Sequence, residues 1–318
     1  MILENRHLKV TFTPYGASIQ SIIIKALNRE VVYGYLNELD YQTNNDYLGC
    51  IVGRSAGRIR NATLYHQQTY VLTKNFNNHH TLHGGGGLHN KYFDYEIKDN
   101  SIIFKRHSPH LEDGFFGDCD IKVIYELIEN RLILHLLATT KTTAYINLTN
   151  HVAFNLNEDK DSDILNHKLY INADQMIQID EAFMPYQIVK VNEVFDFRRQ
   201  KRIDEDIYKP NEQLFKGQGY DHPFILNGHG LRRVSILEVE DLRLKLSTTQ
   251  PCLVVYSGNF MPDGLDLISG KSKYRGSIAL EAQGIPNNQE FNLYKNDNII
   301  TKENPLNETI IWKFETLK

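Results

Sequence analysis

The chain has 318 residues, enough for two ordinary domains or one large β domain. Its 35 Lys and Arg against 39 Asp and Glu leave a formal charge of −4, which exerts no pull on phosphate backbones or anionic lipid, so no nucleic acid partner is expected. Three cysteines without a C-x-x-C pair indicate neither a disulfide framework nor a zinc knuckle, and no apolar run approaches a membrane span, so a soluble, cytoplasmic protein is expected.

Leu8 to Thr13 alternates apolar and polar residues, Pro14-Tyr15-Gly16 turns, and Ile19 to Ile24 resumes, predicting an opening hairpin. Leu48 to Val52 reads as a buried strand, and Gly53-Arg54-Ser55-Ala56-Gly57-Arg58-Ile59 follows with two arginines among small residues. Arginine forks either bind loop carbonyls or clamp a ligand, and this stretch alone does not decide between them. The next cluster, Asn75 to Gly87, holds His79, His80 and His83 before four consecutive glycines. It lacks the Lys-Ser/Thr of a phosphate loop, and its Asn and Gly disfavour the helix that would make the histidine spacing a metal site. The glycines better serve a close backbone approach that leaves His83 pointing into a cleft.

Hairpins follow one another from Tyr95 to Lys105 and from Ile121 to Leu137, with Asp99-Asn100 and Glu129-Asn130 as turns. They lead into Asn147-Leu148-Thr149-Asn150-His151-Val152-Ala153-Phe154-Asn155-Leu156, where polar groups are carried inward by an apolar strand-like frame. Asparagines beside His151 can fix an imidazole's tautomer, or simply satisfy a core histidine. Arg198 to Arg202 is a basic run cancelled by Asp204, Glu205 and Asp206, and reads as a solvated edge. Tyr220-Asp221-His222 then precedes an apolar run, which could be turn chemistry. Val234 to Leu246 predicts a further hairpin, and Leu253 to Tyr256 a strand. Ile278-Ala279-Leu280-Glu281-Ala282-Gln283 sets a carboxylate inside an apolar strand, costly unless paired or functional. With no repeat or linker, residues 1–318 read as a single all-β domain.

Taken in order, these segments resemble the aldose 1-epimerase (galactose mutarotase) family nearly end to end. Gly53 to Ile59 is similar to the family's G-R-x-A-x-R-I, Leu82-His83-Gly84-Gly85 to its L-H-G-G, and Asn147 to Leu156 to its N-L-T-N-H-x-x-F-N-L. Tyr220-Asp221-His222, Ser257-Gly258-Asn259-Phe260 and Leu280-Glu281-Ala282-Gln283 are similar to three further motifs. Gly57 stands where many members carry asparagine, and Val254 where a glutamine often contacts the sugar.

The resemblance implies a large β-sandwich of the galactose mutarotase-like supersandwich type, with an open concave face that binds a small-molecule aldose. It implies His151 as acid and Glu281 as base, with Arg58, His83 and Asp221, beside Gly57, holding the sugar. No metal or other cofactor is called for, and the chain would act as a monomer or homodimer. Opening a pyranose requires one proton given to the ring oxygen and one taken from the anomeric hydroxyl, and such a pair supplies both. An acidic neighbour, Glu281 or Asp221, would be expected to raise the imidazole pKa, giving a bell-shaped pH profile with a slope in the histidine range. Three other readings use the same residues. A carbohydrate-binding protein needs no turnover, a hexose-phosphate 1-epimerase needs more Lys or Arg near the cleft, and a glycoside hydrolase would pair Asp221 with Glu281.

Overall fold

The computed structural model describes residues 1–159, 161–291 and 298–317. Two large antiparallel sheets dominate it. The nine-stranded sheet runs, in spatial order, Asp94–Lys98, Ser101–Ser108, Cys119–Ile128, Arg131–Thr139, Leu306–Thr316, Leu242–Thr248, Arg232–Glu238, Lys168–Ile171 and Lys201–Arg202. The six-stranded sheet runs Ala153–Phe154, Ile278–Gln283, Cys252–Tyr256, Asp221–Ile225, Gln175–Ile179 and Pro185–Lys190. Glu212–Gly217 is the single α-helix among the described residues, capped by the Asn211 side chain.

The central strands of the larger sheet bury every second residue. Leu132, Leu134, Leu136 and Ala138 point inward, and their neighbours Arg131, Ile133, His135 and Leu137 are less buried. Trp312 on Leu306–Thr316 is fully buried and packs near Phe154, as does Phe314. Each such side chain contributes roughly 1.5–3 kcal/mol on burial. A one-residue slip would turn this whole set to solvent, so the layer fixes the register.

The strand Ile278–Gln283 of the smaller sheet is covered on both faces. All six residues of Ile278–Gln283 are buried: Ile278, Leu280 and Ala282 join the main core, while Ala279, Glu281 and Gln283 alternate onto the opposite, concave face. On the neighbouring strand Leu253 and Val255 point to the core, leaving Val254 and Tyr256 on the concave face. On the next strand Asp221 and Pro223 continue that face. A carboxylate within an apolar run is therefore a face-switching effect of the two-residue period.

The opening hairpin is present as Leu8–Thr13 paired with Ser18–Ile24. The segment from Leu48 is buried, but only Ile51–Val52 forms a strand. The Asn147 to Leu156 stretch is not one strand. Thr149–Asn150 pairs with Ile51–Val52, and Ala153–Phe154 pairs with Ile278–Ala279 in the six-stranded sheet. His151 and Val152 occupy the break, and all ten residues are buried.

Candidate active site

A cavity of about 420 Å³ opens on the concave face, a size suited to a small ligand. His151 and Glu281 lie in it with Arg58, Asp221, His83 and Gly57, so the structure collects every site residue expected from sequence into one place.

The backbone at the strand break positions His151. Its N–H donates to the Cys50 carbonyl at 2.8 Å, and its carbonyl accepts from Gly49 N–H at 3.0 Å. The asparagines of the stretch do not hold the imidazole. Asn150 Nδ2 donates to the Gly49 carbonyl and the Tyr125 hydroxyl, Asn155 Nδ2 to the carbonyls of Ser162 and Gly276, and Asn147 Nδ2 to the Gly284 carbonyl. They staple the surrounding chain, so their amide nitrogens serve neither of the two roles left open above, setting the tautomer or satisfying a core histidine.

Nε2 of His151 lies 3.6 Å from Oε1 of Glu281, and the two side chains are 9% and 4% exposed. Burial disfavours both charges. It pushes the His151 pKa down to about 4, against weaker upward pulls from its own main-chain carbonyl and from Asp221. It pushes the Glu281 pKa up to about 8, with the Asp221 carboxylate raising it further and Arg58 opposing. An acidic neighbour does raise the imidazole pKa, as expected from sequence, but desolvation outweighs it.

The two arginines of the Gly53 to Ile59 segment divide the two roles left open above. Arg54 is buried and donates to the carbonyls of Tyr145, Phe116 and Gly117 at 3.2, 2.7 and 2.6 Å, which makes it a loop binder. Arg58 reaches the cavity, donates to Asp221 Oδ2 at 2.8 Å, and lies 5.0 and 5.4 Å from the ring centroids of Phe76 and Phe183.

Gly84 lets the histidine loop approach. A Cβ there would meet the Gly53 carbonyl oxygen at 2.0 Å. His83 N–H donates to the Gly57 carbonyl at 2.9 Å, and Gly57 N–H donates to His83 Nδ1 at 3.3 Å. Burial, then repulsion from His151, Arg58 and His89, holds the His83 pKa well below its usual range. The ring is thus neutral with its proton on Nε2, a hydrogen-bond donor.

That tautomer bears on metal binding. Ligand atoms of His83, His151 and Glu281 all lie within 4.8 Å of one another, but a protonated Nε2 is a donor and not a ligand. His80 is likewise engaged, its Nδ1 accepting from Asn61 N–H at 2.9 Å.

Four buried atoms of cavity-lining residues have no protein hydrogen-bond partner of good geometry: His151 Nδ1, Glu281 Oε2, Gln283 Oε1 and Arg58 Nε. The site also includes residues that sequence reasoning did not single out. Tyr47, Phe76, Phe183, Tyr256 and Gln283 line the cavity. Counting by two from Val254 and from Glu281 would have found Tyr256 and Gln283; the other three come from loops, where no periodicity points to them.

The sequence profile of the aldose 1-epimerase family matches residues 1–302. Aldose 1-epimerase of Haemophilus influenzae is 34% identical over 296 residues, covering 89% of this chain and 86% of that protein. Galactose mutarotase of Bos taurus is 31% identical over 296 residues, covering 89% and 84%. Galactose 1-epimerase from Lactobacillus acidophilus superposes with a TM-score of 0.87 at 27% identity, covering 100% of this chain and 94% of that one. An aldose epimerase homologue from C. elegans gives a TM-score of 0.91 at 25% identity, covering 100% and 99%. The chain belongs to the aldose 1-epimerase family.

Proposed function

We propose that the cavity binds a free aldose such as galactose or glucose and interconverts its α and β anomers, with His151 and Glu281 as the acid–base pair. The observation that carries this reading is the buried His151–Glu281 pair, 3.6 Å apart, on the floor of a cavity that also holds the Arg58–Asp221 ion pair. The strands bearing Glu281 and Asp221 are separated by the one bearing Val254, about 9–10 Å across, and Asp221 lies two residues along its strand from the position opposite Glu281, so the two ends of the floor lie roughly 11–12 Å apart. A pyranose ring with its hydroxyls fits between them.

His151, as acid, gives a proton to the ring oxygen while Glu281, as base, takes one from the anomeric hydroxyl. The ring opens, the C1–C2 bond rotates, and closure on the other carbonyl face reverses both transfers. The acid and the base each contribute ~10² to 10⁴. The pair carries one proton between them, and the two placements of that proton differ in no net charge. Opening a pyranose starts with that proton on His151 and closure starts with it on Glu281, so a proton resting on Glu281 must first pass to His151 before a bound pyranose opens.

Arg58, Asp221 and the Nε2–H of His83 hold hydroxyls and the ring oxygen, and Gly57 acts through its backbone. Sugar hydroxyls would supply the partners that Glu281, Gln283 and Arg58 lack within the protein. A phosphorylated hexose is a poorer fit. Arg58 is the single Lys or Arg among the described lining residues and is already paired, while Arg198, Lys201 and Arg202 are bound to Asp196, Asp206 and Asp204. Residues 1–318 act as a single domain on this reading, supported by one apolar core that contains both Leu3 and Phe314. A cytoplasmic setting is supported by Cys50, Cys119 and Cys252 all being free and buried.

The test follows freshly dissolved α-D-galactose and α-D-glucose by polarimetry or proton NMR. Wild type should accelerate equilibration, and His151→Gln and Glu281→Gln should each lose it while remaining folded. No acceleration on either sugar, or monosaccharide release from a disaccharide, would reject the reading.

A further inference from the structure

A histidine that moves protons along one direction needs its ring plane held, and the usual device is a hydrogen bond to the other ring nitrogen. His151 lacks that device. Its Nδ1 makes no hydrogen bond to another residue, although its own main-chain carbonyl pulls on the imidazole. What surrounds the imidazole is aromatic. Tyr47 lies 6.1 Å from it between ring centroids, His83 meets it edge-on at 5.3 Å, and Tyr256 lies at 6.4 Å.

Tyr47 also packs on His83, one of these neighbours. Its ring centroid is 4.8 Å from that of His83 and 4.8 Å from that of His89, a buried histidine that does not line the cavity. The phenol is thus a wedge touching three imidazoles, two of them in the site. Its hydroxyl makes one long contact, accepting from Asn75 Nδ2 at 3.4 Å.

The backbone holds the wedge in a conformation that few non-glycine residues adopt, with φ of +56°. Asn44 fixes it: its carbonyl accepts from Tyr47 N–H at 3.0 Å, and its side chain bonds both the N–H and the carbonyl of Leu48. The Tyr47 carbonyl accepts from Cys50 Sγ at 3.2 Å, and Cys50 in turn receives the His151 N–H. One short loop therefore holds both the backbone of His151 and the ring that packs on its side chain.

We propose that Tyr47 is a positioning residue, setting the ring planes of His151 and His83 by packing, so that turnover depends on its aromatic ring and not on its hydroxyl. This rests on the acid–base reading of His151. The role is therefore read in two ways, one of which needs no turnover.

The experiment compares wild type with Tyr47→Ala, Tyr47→Leu and Tyr47→Phe. Long-range proton–nitrogen NMR of the uniformly ¹⁵N-labelled protein reports the His151 ring tautomer, and progress curves on galactose and glucose give kcat and KM. Tyr47→Ala and Tyr47→Leu should average the His151 ring signals and lower kcat about tenfold to hundredfold, with a smaller change in KM. Tyr47→Phe should rescue both readouts to within about threefold. Unchanged ring signals in Tyr47→Leu, a loss confined to KM, or failure of Tyr47→Phe to rescue would each overturn the proposal. Should Tyr47→Ala not fold, Tyr47→Leu and Tyr47→Phe decide it. Absence of acceleration in wild type sinks the functional reading instead, and leaves the ring signals to be read on their own.

Discussion

Oε1 of Glu281 stands 3.6 Å from Nε2 of His151, beyond hydrogen-bond reach yet close enough that the two buried groups titrate as a pair. With the His151 pKa pushed down to about 4 and that of Glu281 up to about 8, the one-proton form spans the interval between them. Below it both groups are protonated and no base is left; above it neither holds a proton and no acid is left. The kcat/KM profile should rise through about pH 4, stay level across the ordinary histidine range near ~6.5, and fall through about pH 8. This replaces the slope in the histidine range expected from sequence, where burial was not visible. Initial rates corrected for spontaneous mutarotation check it, and a limb centred on the unperturbed histidine value would be inconsistent with this site.

Asp221 and Arg58 act on that upper limb with opposite signs. The Asp221 charge raises the Glu281 pKa and the Arg58 charge lowers it. Asp221→Asn should therefore move the high-pH limb toward acid, and Arg58→Ala should move it toward alkali. Both variants should also raise KM, since each breaks the 2.8 Å ion pair that shapes the sugar-holding end. The pH profiles of the two variants, measured side by side, settle the point. Shifts in the same direction would mean that geometry, and not charge, connects this pair to Glu281.

What was legible in the sequence follows from which surfaces are buried. Cys119 to Thr139 announces its strands because one face is buried and the other is not, so the two-residue period survives. Ile278–Gln283 is covered on both sides, and its apolar run shows a strand but hides which face carries Glu281. The break at His151 was not legible at all. Its two short flanking strands are defined by Val52 and Ala279, partners about a hundred residues or more away in the chain. Arg54 and Arg58 could not be told apart for the same reason, since distant carbonyls and a distant carboxylate assign their roles.

That assignment predicts two different failures. Arg54→Ala would strip hydrogen bonds from three buried carbonyls, and a bond to a charged donor is worth about 1.5–3 kcal/mol. A loss on the order of 3 kcal/mol or more in unfolding free energy is expected, with KM near wild type in whatever fraction folds. Arg58→Ala should act on sugar binding as well as stability, raising KM while its loss also leaves the buried Asp221 carboxylate unpaired. Denaturant titration alongside kinetics separates them. If Arg54→Ala proved as stable as wild type, the loop-binding role would be wrong.

Gly57 is the departure from the family pattern for which the structure has a physical account. Its φ is +72°, and a Cβ there would lie 2.8 Å from Pro286 Cβ and 3.3 Å from Gln283 Nε2. Its carbonyl and N–H bind the backbone and the ring of His83. Gly57→Ala should thus cost about 1–3 kcal/mol of stability through backbone strain, and more where Pro286 cannot yield. Because the displaced peptide is the one that fixes the His83 tautomer, kcat/KM should also fall, on the order of tenfold for each ~1.4 kcal/mol lost in the transition state. Steady-state kinetics with a thermal melt test both parts. Unchanged kinetics in a destabilised protein would show that His83 keeps its orientation without Gly57, and would take Gly57 out of the site.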